Sequence, residues 1–285
     1  MTPELACAVL SYREEPFLVE AVRSLVEQDE PVEIVVVNSG GGDPAAQLAT
    51  AGIDVPVYTF EQRMYPGAVR NVGIDATRAP FVAFLAADCV AQPGWVAARL
   101  EEHRAGAAAV ASPPANAYPE STAAWASFLL LHNRRLAVTP PRQRLLYSLS
   151  YERSLFERFG RFREDLRAGE DTELNGRLQP EVAIVLAADA RTAHRYPNSV
   201  GAMLRDAFRR GRLQARMQGA LEGGGPTRVR VATRGPRNVL RSLVVAARTA
   251  PPDRGRMLRA WPLVLAGAIL YTVGALTTPT AGAAP

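Results

Sequence analysis

The sequence predicts an α/β protein built on an open, mostly parallel β-sheet that is flanked by helices. Apolar segments of strand length alternate with segments of helical periodicity through the first half of the chain. The segment 32–38 (VEIVVVN) is a β-branched run, which is typical of a strand buried on both faces. Strands that alternate with helices favour right-handed crossovers between parallel strands, and therefore an open α/β sheet.

The first strand and the first helix set this pattern. A buried strand is predicted at 5–10 (LACAVL). In the helix predicted after it, Phe17, Ala21 and Leu25 fall on one stripe of the helix surface. The first-half elements are this strand at 5–10, a helix at 16–28, a strand at 32–38, a loop at 39–44, a strand at 55–60, a helix at 67–77 and a strand at 81–88.

The second half of the chain is less regular. The segment 112–162 is rich in proline, arginine and aromatic residues. A helix is predicted at 169–178, because a glycine turn precedes acidic residues that suit the first turn of a helix. A last strand is predicted at 182–187. It is followed by a basic helix at 200–217, in which Gly211 is a candidate position for a bend.

The carboxy-terminal part differs in composition. The segment 223–226 (GGGP) reads as a flexible link, and an arginine-rich stretch follows it. From residue 260 onward the sequence carries no charge, but its strongly apolar part, 261–276, is shorter than the ~20 residues that a membrane-spanning helix needs. We therefore expect one α/β domain at 1–222 and an arginine-rich linker with an apolar helical tail at 223–285.

The composition limits the classes of function. The chain has 285 residues, of which 48% are hydrophobic, with a net charge of +5, and all 33 of its Lys and Arg residues are arginine. The basic excess lies after about Arg205, next to the apolar tail and without interleaved aromatic residues, so nucleic-acid binding is not expected. Cys7 and Cys89 are expected to be buried thiols in a reducing cytosol. Glu4 interrupts any amino-terminal apolar run, so no signal peptide is expected.

Polar residues follow several of the predicted strands. In an open α/β sheet, ligands bind beyond the carboxyl ends of the strands. The segments 11–14 and 38–42 occupy such ends, and Asp88 closes the apolar strand 81–88. Turn chemistry is one explanation for this lone acid, since Asp commonly caps a following helix. The other explanation is a metal and phosphate site.

The order of these pieces resembles that of the family-2 glycosyltransferases, which have the nucleotide-diphospho-sugar-binding GT-A fold. The resemblance covers about residues 5–215. It rests on the motifs AVLSYREEPFLVEAVRSLVEQ, VEIVVVNSGGGD, PGAVRNVGIDATRAPFVAFLAADC, QPGW and RFREDLRAGEDTELNGRL, which occur in the order that the family has.

The resemblance implies a site for a nucleotide-diphospho-sugar donor and for Mg²⁺ or Mn²⁺. Asp88 matches the last acid of the family's Asp-x-Asp motif and is expected to bind the metal, with His194 as a second candidate ligand. Asp171 matches the position of the general base of an inverting transfer, with Glu170 beside it. The residues implied in donor binding are Ser11, Tyr12, Glu14, Asn38, Gly67, Arg70, Asn71, Ala87 and Asp88.

The sequence also departs from the family pattern. Ala86 stands where the family has its first acid, and Asn38 and Ser39 replace paired acids. These replacements favour one alternative, a catalytically degenerate scaffold that binds nucleotide or membrane. A second alternative is a nucleotidyltransferase, but the loop 11–17 (SYREEPF) lacks the glycine cluster of that class.

The resemblance leaves the sugar and the acceptor open. We expect a glycan or lipid-linked acceptor, and a cytoplasmic protein whose tail binds the inner face of the cell membrane. The basis is the arginine-rich segment, which leads directly into the uncharged stretch. The alternative is that 261–276 packs on the catalytic domain or forms a dimer.

Overall fold

The computed structural model describes residues 2–222 and 227–278. The segment 223–226, at which the predicted domain boundary falls, lies outside the described residues, so that division stays a prediction. The chain forms two compact units, each assembled from two segments. Unit 1 comprises Met1–Ala115 and Leu146–His194, and unit 2 comprises Asn116–Leu145 and Arg195–Pro285.

The secondary structure alternates strands and helices, as expected, up to about residue 104. The strands are β1 (Leu5–Tyr12), β2 (Val32–Ser39), β3 (Val57–Phe60), β4 (Phe81–Ala86), β5 (Cys89–Ala91), β6 (Ala109–Ala111), β7 (Pro114–Asn116), β8 (Ser150–Glu152), β9 (Ile184–Leu186) and β10 (Thr192–His194). The helices are α1 (Leu18–Val26), α2 (Pro44–Thr50), α3 (Pro66–Ala76), α4 (Trp95–Arg104), α5 (Thr122–His132), α6 (Ser154–Phe159), α7 (Glu170–Leu178), α8 (Val200–Glu222), α9 (Thr227–Ala232), α10 (Arg234–Arg248) and α11 (Asp253–Leu276).

Unit 1 is built on a seven-stranded sheet with the order β3-β2-β1-β4-β8-β6-β9. The pairs β1/β2, β1/β4, β2/β3 and β6/β9 are parallel, and β8 runs antiparallel to both of its neighbours. A second sheet, β5-β10-β7, contains the antiparallel pair β5/β10. The predicted α/β class with a mostly parallel sheet is confirmed.

The side chains of β1 alternate between two apolar clusters. Cys7 and Val9 pack with Leu18 of α1, whereas Ala8 packs in a separate cluster with Ile74 of α3. Successive side chains of a strand point to opposite faces, so both faces of this strand are covered. An apolar strand buried on both sides needs no polar alternation, which explains the continuous apolar run in the sequence.

Unit 2 contains the described helices α5 and α8–α11. The longest of them, α11, packs against α8, α5 and α10. A Cβ atom on Gly211 of α8 would lie 2.0 Å from the carbonyl oxygen of Tyr271, so this glycine allows a close contact between α8 and α11. The position where a bend was considered lies inside one helix, Val200–Glu222.

The apolar tail is longer as a helix than its apolar run suggests, because α11 begins at Asp253. Among the described residues, α11 alone is long and apolar enough to cross a membrane. One face of α11 is buried within unit 2 at positions that include Val264 and Ala268. The opposite face exposes the apolar side chains of Leu258, Leu265, Ile269, Val273 and Leu276.

Candidate active site

The carboxyl ends of three parallel strands meet at one edge of the unit 1 sheet. Ser11 of β1 pairs in register with Asn38 of β2, and Leu10 pairs with Ala86 of β4. The Ala87 amide then donates to the carbonyl oxygen of Leu10 at 2.9 Å, which continues the contact beyond the end of β4. The register therefore brings the predicted donor-binding segments of all three strands together.

An open cavity of about 470 Å³ lies at this edge. The ends of β1, β2 and β4 form one part of its wall, and the start of α3 and the residues leading into α7 form the rest. Its lining residues are Leu10, Ser11, Tyr12, Glu15, Ser39, Arg63, Met64, Tyr65, Pro66, Val69, Arg70, Ala86, Ala87, Asp88, Arg167, Ala168, Gly169, Glu170 and Asp171. A volume of this size is ordinary for a small-molecule site.

Asp88 and His194 lie next to each other in unit 1. The antiparallel pairing of β5 and β10 places His194 opposite Cys89, the residue after Asp88. The Nε2 atom of His194 is 3.5 Å from Oδ2 of Asp88, and 42% of the Asp88 side chain and 23% of the His194 side chain are exposed. One ligand atom from each of Asp88, Cys89 and His194 lies within 4.8 Å of the others.

The chemistry of this group fits a hard divalent cation. A carboxylate oxygen and an imidazole nitrogen are ligands that Mn²⁺ accepts, and Mg²⁺ uses carboxylate oxygens with water. Burial, followed by the charge of Asp88, raises the pKa of the Cys89 thiol. Asp88 offers one oxygen and His194 one nitrogen to such a cation.

Tyr12 forms an exposed aromatic wall of the cavity. The guanidinium carbons of Arg13 and Arg63 lie 5.1 Å and 5.4 Å from the centre of its ring. A Cβ atom on Gly40 would lie 2.7 Å from Cε2 of Tyr12, so the glycine leaves space for the ring. An exposed ring with cations beside it can stack on a nucleobase.

Ser11 and Glu14 differ in their relation to the cavity. Ser11 lines it, and its buried hydroxyl oxygen has no hydrogen-bond partner among the described residues. This hydroxyl is available to a ligand. Glu14 is exposed and does not line the cavity, whereas the neighbouring Glu15 does.

Asn38 shapes the glycine loop and does not line the cavity. Its side chain is fully buried, and its Nδ2 atom donates to the carbonyl oxygen of Gly41 at 2.8 Å. Gly40, Gly41 and Gly42 have φ angles of 86°, 78° and 89°, a left-handed conformation that favours glycine. The Oδ1 atom of Asn38 is buried and has no hydrogen-bond partner among the described residues, so the role of Asn38 in donor binding stays a prediction.

Gly67 and Asn71 of α3 likewise act behind the cavity wall. A Cβ atom on Gly67 would lie 2.1 Å from the carbonyl oxygen of Arg163, so the helix start can approach that segment only with glycine. Asn71 donates to the carbonyl oxygen of Phe162 at 3.0 Å and to Glu164 at 2.8 Å, and it accepts from the Phe162 amide. Both residues fix α3 against 162–164.

Arg70, Glu170 and Asp171 all line the cavity, but they differ in their ion pairs and hydrogen bonds. Arg70 donates to Glu170 in an ion pair in which 18% of the Arg70 side chain and 6% of the Glu170 side chain are exposed. Asp171 is half-buried, and its Oδ1 atom accepts from the amide of the neighbouring Thr172 at 2.7 Å and from the Thr172 hydroxyl at 3.3 Å. Of the two acids, Asp171 is the one with no ion pair to a cationic side chain in the part of the chain that the structure describes.

We expect Glu170→Gln to destabilise the protein by about 3 kcal/mol, because breaking a buried ion pair leaves Arg70 partly buried without its counter-charge. Urea unfolding followed by circular dichroism measures this change. The control is Glu173→Gln, which removes a more exposed pair with Arg177 on the same helix and should cost less than about 1 kcal/mol. Equal losses in the two variants would contradict the assignment.

Several cavity residues were not identified from the sequence. They are Glu15, Arg63, Tyr65 and Arg167. Arg63 and Tyr65 directly precede α3, and Arg167 precedes the Gly-Glu-Asp turn, so proximity to the recognised motifs was the available signal. The cavity thus gathers more cationic groups than the sequence motifs suggest.

A sequence model described as Glycosyl transferase family 2 matches residues 7–161. The pre-mycofactocin glycosyltransferase of Mycobacterium tuberculosis is 27% identical over 189 residues, which cover 60% of this chain and 40% of that protein. The succinoglycan biosynthesis protein ExoO of Rhizobium meliloti is 30% identical over 112 residues, 38% of this chain and 32% of that one. The chain spans less than half the length of these curated relatives.

Solved structures share the fold over nearly the whole chain. The mannosyltransferase PcManGT from Pyrobaculum calidifontis, solved with GDP-Man and Mn²⁺, has a TM-score of 0.60 at 16% identity and matches over 97% of this chain and 88% of its own. TarS 1-349 of S. aureus with UDP-GlcNAc has a TM-score of 0.53 at 18% identity, over 96% of this chain and 91% of its own. The predicted GT-A fold is thereby confirmed.

Proposed function

Because the chain belongs to glycosyl transferase family 2, we propose that it is a glycosyltransferase that moves a sugar from a nucleotide-diphospho-sugar to a glycan or lipid-linked acceptor. The observation that carries this proposal is the cavity at the strand ends, which Asp88 and Asp171 both line. Fold neighbours solved in complex with GDP-Man and with UDP-GlcNAc support a nucleotide-sugar donor.

The donor occupies the strand-end part of the cavity in this proposal. Tyr12 stacks on the base, and Ser11 offers its hydroxyl to the nucleotide. Arg63 and Arg167 supply positive charge for the diphosphate, since guanidinium groups suit phosphate oxygens. Asp88 and His194 would hold Mn²⁺ or Mg²⁺, and the bound cation would offset the negative charge of the departing diphosphate.

The transfer inverts the configuration at the anomeric carbon. Asp171 accepts the proton of the acceptor hydroxyl as that oxygen attacks the anomeric carbon, and the nucleoside diphosphate leaves from the opposite side. Glu170 acts differently from its neighbour, because its ion pair holds Arg70 and the start of α7 in place. Glu170 is therefore a positioning residue, and Asp171 is the base.

The scaffold alternative has one observation in its favour. Ala86 lines the cavity where the family has an acid, so one polar contact to the nucleotide is missing. Asp88, His194 and Asp171 nevertheless retain groups for metal and proton chemistry. A scaffold would bind a nucleotide without turning over its sugar.

We also propose that the tail helix α11 associates with the inner face of the cell membrane. Its exposed apolar stripe, described above, supports this proposal. The buried face of α11 supports the packing alternative within unit 2. Envelope polysaccharide acceptors, suggested by the name of the succinoglycan relative, would make such a location useful.

The decisive test combines binding with turnover. With Mn²⁺ present, a cognate nucleotide-sugar at 100 times its Kd should stabilise the protein by about 2.7 kcal/mol, or roughly 5–10 °C in Tm. Chelation with EDTA should remove most of this shift. Chromatography should then detect release of the nucleoside diphosphate. A shift without any release would favour the scaffold, and no shift across UDP-, GDP- and dTDP-sugars would contradict the donor site.

A further inference from the structure

A second cavity, of about 480 Å³, lies wholly within unit 2 and is lined by six arginines. We call it the arginine cavity. The arginines follow α5 or belong to α8 and α10; they are Arg134, Arg135, Arg210, Arg234, Arg237 and Arg241. No carboxylate from the described part of the chain lines it. The sequence motifs that indicated the donor site do not include any of these residues.

Among the described residues, the positive charge of four of the six arginines is incompletely compensated; these are Arg210, Arg234, Arg237 and Arg241. Arg210 pairs with Asp206 at 2.5 Å, but Asp206 also accepts from Arg209 at 3.0 Å. Arg234 donates to the neutral side chain of Gln214 at 3.1 Å. No ion pair to Arg237 or Arg241 is found among the residues that the structure describes.

Burial makes this concentration of charge costly. Five of the six arginines are half-buried, and the sixth, Arg237, is exposed. Burial, followed by the charges of Arg241 and Arg135, lowers the pKa of Arg134. Like charges held together in a partly desolvated site repel one another, and a bound anion would relieve that repulsion.

Apolar side chains accompany the arginines. Leu145 and Leu213 line the same cavity and are exposed. On α10, Leu240 is 66% exposed and lies three residues after Arg237, on the neighbouring part of the helix surface. The guanidinium group of arginine can donate two parallel hydrogen bonds to phosphate oxygens, and exposed leucine side chains favour an apolar environment. A ligand that satisfies both has a phosphate group and a hydrocarbon part.

We propose that the arginine cavity binds the phosphate of an anionic membrane phospholipid, with the adjacent exposed leucines contacting its acyl region. A basic helix with apolar residues beside its cations is typical of a helix that lies at a membrane surface. This site is independent of the proposed transfer reaction. It is also distinct from the exposed stripe of α11, because the arginines belong to other elements.

The test is sedimentation of the full-length protein with lipid vesicles. Vesicles of phosphatidylcholine containing phosphatidylglycerol should bind the protein, and pure phosphatidylcholine vesicles should bind it weakly. The double variant Arg237→Ala/Arg241→Ala should lose affinity for the anionic vesicles roughly 30-fold. This loss corresponds to about 1 kcal/mol of binding free energy for each arginine near an anionic surface. Neither residue has a described partner, so the variant should keep the wild-type Tm.

The matched control is Arg205→Ala/Arg216→Ala, which removes the same charge from exposed positions of α8 outside the cavity. It should retain affinity within about threefold of the wild type, because charges away from the lipid surface are screened. If the double variant unfolds, the single variants Arg237→Ala and Arg241→Ala can be compared with the control by the same vesicle assay.

Three outcomes would overturn the proposal. Equal losses in the cavity variant and the control would indicate a general charge effect. Wild-type binding by the cavity variant would place any membrane contact elsewhere, for example on α11. Inorganic phosphate competing at concentrations equal to those of phosphatidylglycerol would assign the cavity to free phosphate. Donor turnover, measured in parallel without vesicles, should not change in the cavity variant, which separates this test from that of the active site.

Discussion

Asp88→Ala is expected to abolish metal-dependent donor binding while leaving the fold intact. Asp88 lies at the end of the β4 segment, beside His194 and in the wall of the donor cavity. Loss of its carboxylate removes the only acid of the candidate metal group, so the affinity for a nucleoside diphosphate in Mn²⁺ should fall at least ~100-fold. Isothermal titration calorimetry with UDP and GDP, with and without Mn²⁺, measures this change.

Asp189→Ala is the matched control, because Asp189 is an exposed acid of unit 1 outside the cavity. It should bind the nucleotide and the metal like the wild type. The exposure of Asp88 means that its replacement should cost little stability. Unchanged Mn²⁺-dependent binding in a folded Asp88→Ala protein would contradict its assignment as a metal ligand.

Asp171→Asn is expected to remove sugar transfer while keeping donor affinity. A general base acts on the acceptor proton, so its loss lowers kcat, by roughly 10²–10⁴-fold for a positioned base. The amide keeps the size of the side chain and can still interact with Thr172. Turnover assays should therefore show a large fall in kcat with donor Kd values within about twofold of the wild type.

Asp165→Asn serves as the control for this variant, since Asp165 is an exposed acid outside the cavity that pairs with Arg163. It should retain wild-type turnover. Near-normal kcat in Asp171→Asn would exclude Asp171 as the base. A parallel loss of donor affinity would instead indicate that Asp171 supports the cavity wall.

The central sheet could be predicted from the sequence because its longer strands carry continuous apolar runs. The strands β6, β8 and β10 have three residues each, too few for a periodic pattern to stand out. The helix α5 was also missed, because it is apolar almost all round and lacks the polar face by which a helix is recognised.

The candidate site could be predicted from the sequence where its residues directly follow strands. It was less predictable where contacts between residues distant in sequence determine the position of a side chain. The pairing of β5 with β10 brings His194 to Asp88, and no local pattern specifies that pairing. Asn38 occupies a strand end, yet its side chain turns into the glycine loop. Arg99 is fully buried and hydrogen-bonded to three serines, although arginine is ordinarily exposed. Such placements depend on partners distant in sequence.

The assembly of unit 2 from two separated segments has a consequence for synthesis on the ribosome. Trp125 and Phe128 of α5 pack in one cluster with Val264 of α11. The stretch between His132 and Asp253 must be translated first, which takes on the order of ten seconds at ordinary elongation rates. During that interval α5 presents its apolar surface without this partner, so the nascent chain is a candidate substrate for chaperones. Expression of the soluble protein should accordingly improve when chaperones are co-expressed.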